Sequence, residues 1–269
     1  MQLIEVPAKT GYVWFRQGIW LFRRSPLAFL ALFFTYVLAM TLISAVPVVG
    51  AVLPFVFVPG AAVGFMAACR DTIAGKPVFP TILIDGYRSY GTSVTKQLFV
   101  LGGLYVVAML LVLAASALVD GGTLLQLMTV GGSMDTDAFI TSNAPFAMLV
   151  SMVLYVPVSM LFWFAPVLSA WHGVPPAKAM FFSFVSCWRN KGAFIVYALL
   201  WMAVSVGVSM TLSLLVHALG ADSYAGALLM PVLIVVLTVV YCSFYATYRG
   251  CYGVQEPTPP ATPGTSSGR

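Results

Sequence analysis

Six long apolar runs alternate with short polar stretches along the chain, at 26–46, 48–69, 98–119, 144–171, 192–217 and 225–248. None of them shows the alternation of polar and apolar positions that a membrane β-barrel strand requires. At 1.5 Å rise per residue, each is long enough to cross about 30 Å of hydrocarbon as a helix. The pattern predicts an all-α integral membrane fold with about six transmembrane helices. They form a single transmembrane domain over residues 1–252, followed by a Pro-, Thr- and Ser-rich tail at 253–269 that is expected to be disordered. The junction Val46-Pro47-Val48-Val49-Gly50 is tight and uncharged, so a re-entrant pair competes with a full hairpin for the first two runs. The first run follows a long stretch rich in Trp, Phe and Tyr rather than a short basic one, so a retained first helix is expected, not a cleaved signal peptide.

The polar connections carry a helical pattern of their own. Over 12–24, Tyr12, Phe15, Ile19 and Phe22 oppose Arg16, Gln17, Arg23 and Arg24. Over 176–191, Met180, Phe181, Phe184, Cys187 and Trp188 oppose Lys178, Ser183, Ser186, Arg189 and Asn190. Over 80–96, Leu83, Tyr87, Tyr90 and Val94 form a weaker stripe, interrupted by Gly86 and Gly91. Such segments predict amphipathic helices lying in the interface, with their aromatic faces in the acyl boundary and their polar faces in water. Each is followed by two spans, and Phe22-Arg23-Arg24-Ser25-Pro26-Leu27-Ala28-Phe29 resembles Trp188-Arg189-Asn190-Lys191-Gly192-Ala193-Phe194. We read a threefold parallel repeat of interfacial helix, span, span, unlike the inverted repeats of many transporters.

Composition sharpens the class. Apolar residues make up 61% of the chain and charged residues 8%. Mean hydropathy is +0.97. Soluble domains carry about 25% charged residues, so most of this surface must face lipid. With six spans, all thirteen Lys and Arg fall on one side of the membrane. The opposite loops hold only Asp120, Asp135, Asp137 and Asp222. Lys and Arg in short loops remain cytoplasmic, which predicts both termini inside a bacterial inner membrane. The net charge of +5 lies beside apolar runs and therefore points to anionic membrane lipids, not nucleic acid. The candidate headgroup contacts are Arg23, Arg24, Lys96, Arg189 and Lys191.

Candidate chemistry inside the spans is sparse. Ionisable residues are nearly absent from them, which argues against a proton-driven pump. Ser151, Tyr155 and Ser159 form a ladder in the fourth run and Ser205, Ser209 and Ser213 in the fifth; both are expected to face protein. Gly60 and Gly64 make a GxxxG pair, a close helix contact within the chain or in a homo-oligomer. Tyr241, Tyr245, Tyr248 and Tyr252 read as an interfacial aromatic belt, and His172 as plain surface. Cys69, Cys187, Cys242 and Cys251 lack paired short spacings and all lie at the basic side, so neither a metal site nor a disulfide framework is expected. Asp135-Thr136-Asp137 lacks the ligand count of a calcium loop. No catalytic motif is present, and no catalytic residue or cofactor is assigned.

Val6-Pro7-Ala8-Lys9, Gly11-Tyr12-Val13-Trp14, Phe22-Arg23-Arg24-Ser25-Pro26-Leu27-Ala28 and Gly64-Phe65-Met66-Ala67-Ala68-Cys69-Arg70, together with 176–194, resemble an uncharacterised family of proteobacterial multi-spanning inner-membrane proteins. The resemblance covers most of the spanning region but not the tail, and implies a bacterial multi-pass protein. The helix-then-span pattern also resembles the membrane portion beside some glycerophosphodiester phosphodiesterase domains. No such domain is in this chain, so no activity or residue is carried over. The expectation is a non-enzymatic scaffold or accessory factor that engages anionic headgroups. The alternative is a passive permease or channel for a small neutral or lipidic solute, which a polar cavity at the bilayer midplane would favour.

Overall fold

Proline and glycine set several of the helix ends. The computed structural model describes residues 3–47, 49–123, 142–220 and 225–253. Within them, α1 is Thr10–Arg24, α2 Pro26–Ser44, α3 Leu53–Ile73, α4 Asp85–Arg88 and α5 Gly91–Asp120. They continue as α6 Ala144–Phe162, α7 Ala165–His172, α8 Pro176–Arg189, α9 Lys191–Ala218 and α10 Ala225–Tyr252. Pro26, Pro54, Pro145, Pro166 and Pro176 sit in first turns, where the missing N–H is no loss. Gly121 and Gly173 follow α5 and α7 with φ of 67° and 62°, a left-handed stop that other residues resist.

Six segments are long and apolar enough to cross a membrane, and the described residues contain no strand. They are α2, α3, α5, α6 with α7, α9 and α10, here spans 1 to 6. The first two are separate helices of 19 and 21 residues, a full hairpin by length. Span 3 starts at Gly91, seven residues before its apolar run, so Lys96 lies inside the spanning helix and not before it. The loop containing Asp135 and Asp137, Asp222, and the tail beyond Gly253 lie outside the described residues.

Span 4 is broken. Pro166 has no N–H, and its ring would clash with the carbonyl of Phe162, so α6 stops there and α7 begins at Ala165. The helical bond that Phe164 would give to Met160 is replaced by a side chain. The Phe164 N–H donates to Ser183 Oγ at 2.9 Å, and that hydroxyl donates to the Met160 carbonyl at 2.7 Å. A serine hydroxyl from α8 thus sits inside the ladder of span 4.

The three polar segments follow one rule of placement. α1 runs across the basic ends of spans 5 and 6: Gly11 lies against Ala193 and Tyr197, and Gly18 against Ser243. The 3-10 turn Pro80–Ile84 and α4 pack on span 2, with Leu83 against Gly64 and the Tyr87 ring across Gly60. α8 packs on span 4 through Ser183. Each segment therefore packs on the last span of the unit before it, and the first packs on the last unit, closing a ring of three.

These contacts correct several expectations. The GxxxG pair makes its close contact within the chain: a Cβ at Gly60 would lie 2.1 Å from the Tyr87 ring and one at Gly64 2.6 Å from Leu83 Cα. The segment at 80–96 is not one interfacial helix, because Ser89 and Tyr90 break it, and its first half is sunk beside span 2. On α1 the buried face is Gly11, Trp14, Gly18 and Leu21, and Phe15 packs on Trp201 at 4.8 Å. α8 departs from expectation in its small polar side chains, which turn into the bundle and not to water. Ser183, Ser186 and Asn190 are at most 1% exposed, whereas Phe181, Phe182 and Trp188 face outward. Asn190 accepts from the Val6 N–H at 2.8 Å and donates to the Ile4 and Ser186 carbonyls at 3.1 Å. The polar face is protein-facing because bonded partners wait there, and lipid is an adequate solvent for the aromatic one.

Candidate ligand cavity in the bundle

A cavity of about 300 Å³ lies inside the bundle, bounded by spans 1, 2, 3, 4 and 6. Its polar atoms come mainly from four tyrosines, Tyr36, Tyr105, Tyr155 and Tyr241, joined by Ser159. Each tyrosine stands near the middle of its helix, in a run that is otherwise almost wholly aliphatic and aromatic. All four side chains face the same cavity from four different spans. The Tyr36 and Tyr241 rings are 5.8 Å apart, and Phe162 packs on Tyr105 at 5.0 Å.

Packing alone does not require these hydroxyls. Phenylalanine fills nearly the same space, and a hydroxyl taken into hydrocarbon costs several kcal/mol unless bonded. Phenols can both donate and accept, so the walls can bond a ligand's hydroxyl, ester or carbonyl groups. Among the described residues, no Lys, Arg, Asp, Glu or His lines the cavity. A charged group would find no counter-ion there, which fits the site to neutral chemistry.

The broken span supplies one wall. Phe162, Trp163 and Pro166 flank the Ser183 insertion and line the cavity. Trp163 is fixed by its indole N–H, which donates to Thr247 Oγ1 at 3.0 Å, and by Phe244 at 4.7 Å between ring centroids. Tyr155 is 43% exposed and stands at the mouth. α6 leans on α5 and makes no comparable contact with α2, so the cavity opens sideways between them.

Of the span 4 ladder, Tyr155 and Ser159 thus line the cavity, while Ser151 donates to the Ala147 carbonyl of its own helix. The ladder of span 5 lies elsewhere: Ser205 is half-buried, while Ser209 and Ser213 face outward. The tyrosine stripe of span 6 is not a belt. Tyr245, Tyr248 and Tyr252 are buried at the basic end, where Tyr248 bonds His172 Nε2 at 2.7 Å. Tyr90 links the same region, accepting from Trp171 Nε1 at 3.0 Å and from Arg70 at 3.4 Å. The four cysteines are free and buried, and burial pushes the Cys187 thiol well above its ordinary range.

The candidate headgroup residues are not gathered into one site. Arg23 is exposed at the end of α1, and Arg24 lies over the Trp20 ring at 4.4 Å. Lys191 lies over Trp188 at 5.0 Å, Arg189 pairs with Glu5 at 3.0 Å, and Lys96 is exposed on span 3. The four cavity tyrosines had a signal in the sequence. Tyrosine belongs at membrane interfaces, and these four stand at mid-span.

A protein of Burkholderia thailandensis, "Probable inner membrane protein", is 65% identical over 268 residues, 99% of each chain. The chain belongs to that family of inner membrane proteins. No family model matches the sequence, and no solved structure matches it. The relative's name agrees with the six apolar helices, and the protein is a multi-spanning, all-α protein of the inner membrane.

Proposed function

We propose that this inner membrane protein is a non-enzymatic binder of a neutral lipidic molecule or small neutral solute, held in the tyrosine cavity and reached from the lipid side past Tyr155. The observation that carries the proposal is the convergence of four mid-span phenols on an uncharged cavity that spans five of the six helices. Passive passage of such a solute is the transport form of the same reading. Both termini lie in the cytoplasm, with the basic end facing the inner leaflet, as the segregation of Lys and Arg supports.

Photolabelling tests it. The purified protein in phosphatidylcholine vesicles is exposed to a photoactivatable diacylglycerol, and labelled peptides are mapped. Labelling should concentrate within 144–172 and 229–252. The double variant Tyr36→Phe/Tyr241→Phe should lower it ~30-fold, from two lost bonds at about 1 kcal/mol each. Labelling spread evenly over all six spans, unchanged in the variant, would reject the cavity as a binding site.

A second reading has its own support. Arg24 and Lys191 rest on Trp20 and Trp188, a cation beside an exposed aromatic at two places on the basic end. Cations so placed suit an anionic leaflet, and the protein then also engages anionic headgroups as a scaffold.

A further inference from the structure

The basic end carries a groove that the headgroup residues above do not form. α1 covers only part of the final turns of α10, and beside the contact lie three adjoining hollows of about 270, 480 and 300 Å³. Gln17 lines all three, and Arg249 lines two. Arg16 stands at one end, in the hollow that α1 lines by itself, with Val13 and Trp20 forming an apolar wall and Gln17 joining it to the hollows beside α10. Among the described residues, no Asp or Glu lines any of the hollows. Among the described residues the ion pairs are Arg70 with Asp71 and Arg189 with Glu5, so Arg16, Arg24 and Arg249 meet no carboxylate there.

The floor depends on one glycine. A Cβ at position 250 would lie 2.2 Å from Trp14 Nε1, so any larger residue would displace the indole or fill the groove. Trp14 is 1% exposed, and its N–H has no acceptor among the described residues.

We propose that this groove between α1 and α10 binds the phosphate of an anionic phospholipid, held by Arg16, Gln17 and Arg249. Guanidinium forks match phosphate oxygens two at a time, and the Gln17 amide adds a neutral donor. The apolar wall selects lipid over free phosphate. Val13 and Trp20 are 44% and 47% exposed, and a glycerol backbone with its first methylenes would cover them where an inorganic ion would not. The site is separate from the tyrosine cavity. It rests on the second reading above, that the basic end engages anionic headgroups, and it moves the point of engagement to residues outside Arg23, Arg24, Lys96, Arg189 and Lys191.

Native mass spectrometry of the full chain in detergent tests it, with phosphatidylglycerol, phosphatidylcholine or inorganic phosphate added in steps. The parent protein should take up phosphatidylglycerol at one tight site and show no such site for phosphatidylcholine. Arg16→Gln/Arg249→Gln should weaken that site at least 10-fold, and Lys76→Gln/Lys178→Gln, which removes as much charge from the same end, should leave it in place. Both pairs are exposed, so folding is expected to survive; a retained melting temperature checks this. If the first pair binds like the parent while Arg189→Gln/Lys191→Gln loses lipid, the groove is wrong and the wider reading stands. Loss of preference for phosphatidylglycerol in the parent would end both. Tight binding of inorganic phosphate alone, with no lipid, would overturn the assignment to a lipid headgroup.

Discussion

Ser183 and Ser209 look alike in the sequence, each a small hydroxyl in an apolar setting, and they do opposite things. Ser183 is fully buried and stands between Phe164 N–H and the Met160 carbonyl, where a helical bond would otherwise run. Ser183→Ala strips both groups of their partner at once. An unpaired buried polar group costs about 1–3 kcal/mol, so the variant should melt clearly lower in detergent. Trp163 beside it should also lose order, seen as a broadened indole signal. Ser209 faces outward from α9. Ser209→Leu, expected from the ladder pattern to disrupt packing, should instead shift stability by no more than about 0.5 kcal/mol, as substitutions away from packed features do. A melting curve for each distinguishes them. Spacing along one helix cannot separate these two serines, because the difference lies in whether another helix brings a partner to the hydroxyl.

At the scale of the element, the spans were legible and the polar helices only half so. Hydropathy located all six spans within a few residues at most ends. It missed the start of α5, because Gly91–Lys96 is polar enough to look like a loop while its backbone continues the helix. The existence of α1 and α8 was legible from their helical period. Their orientation was not, because the apolar face of a helix turns toward its less polar neighbour, and here lipid and the bundle compete for that role. α8 gives its serines and Asn190 to the bundle, where hydrogen-bond partners exist, and its aromatics to lipid. α1 is settled by two glycines that let it approach spans 5 and 6 closely. At Gly18 a Cβ would meet Ser243 Cβ at 2.4 Å, so Gly18→Leu must lift α1 or shift span 6. Overpacking of this kind costs about 1–3 kcal/mol. A cysteine placed at Leu21, buried in the parent, should react with a water-soluble maleimide in the Gly18→Leu background and remain protected without it. Protection in both would mean that α1 does not depend on this close approach.

At the scale of the whole molecule, three units of polar segment and two spans close into a ring, each polar segment lying on the last span of the unit before. A unit of two spans returns the chain to the side where it began, so every polar segment lies at the same end of the bundle. That is the end that carries the Lys and Arg residues. The arrangement makes orientation a joint property of the three units. An inverted molecule would carry all of those charges across the membrane together, whereas a wrong number of spans would split them and break the ring. The prediction is therefore all-or-none. A reporter active only in the periplasm should be silent when fused after Gly253 and active when inserted at Thr136. Replacing Arg23 and Arg24 with Gln should leave this pattern unchanged, because Lys9, Arg16, Arg70 and Arg189 still hold the same end inside. Activity after Gly253 with silence at Thr136 would invert the molecule and remove the anionic inner leaflet from its basic end. Activity at both positions would put them on the same side, with an even number of spans between them where the ring needs three, and the ring of three units could not exist.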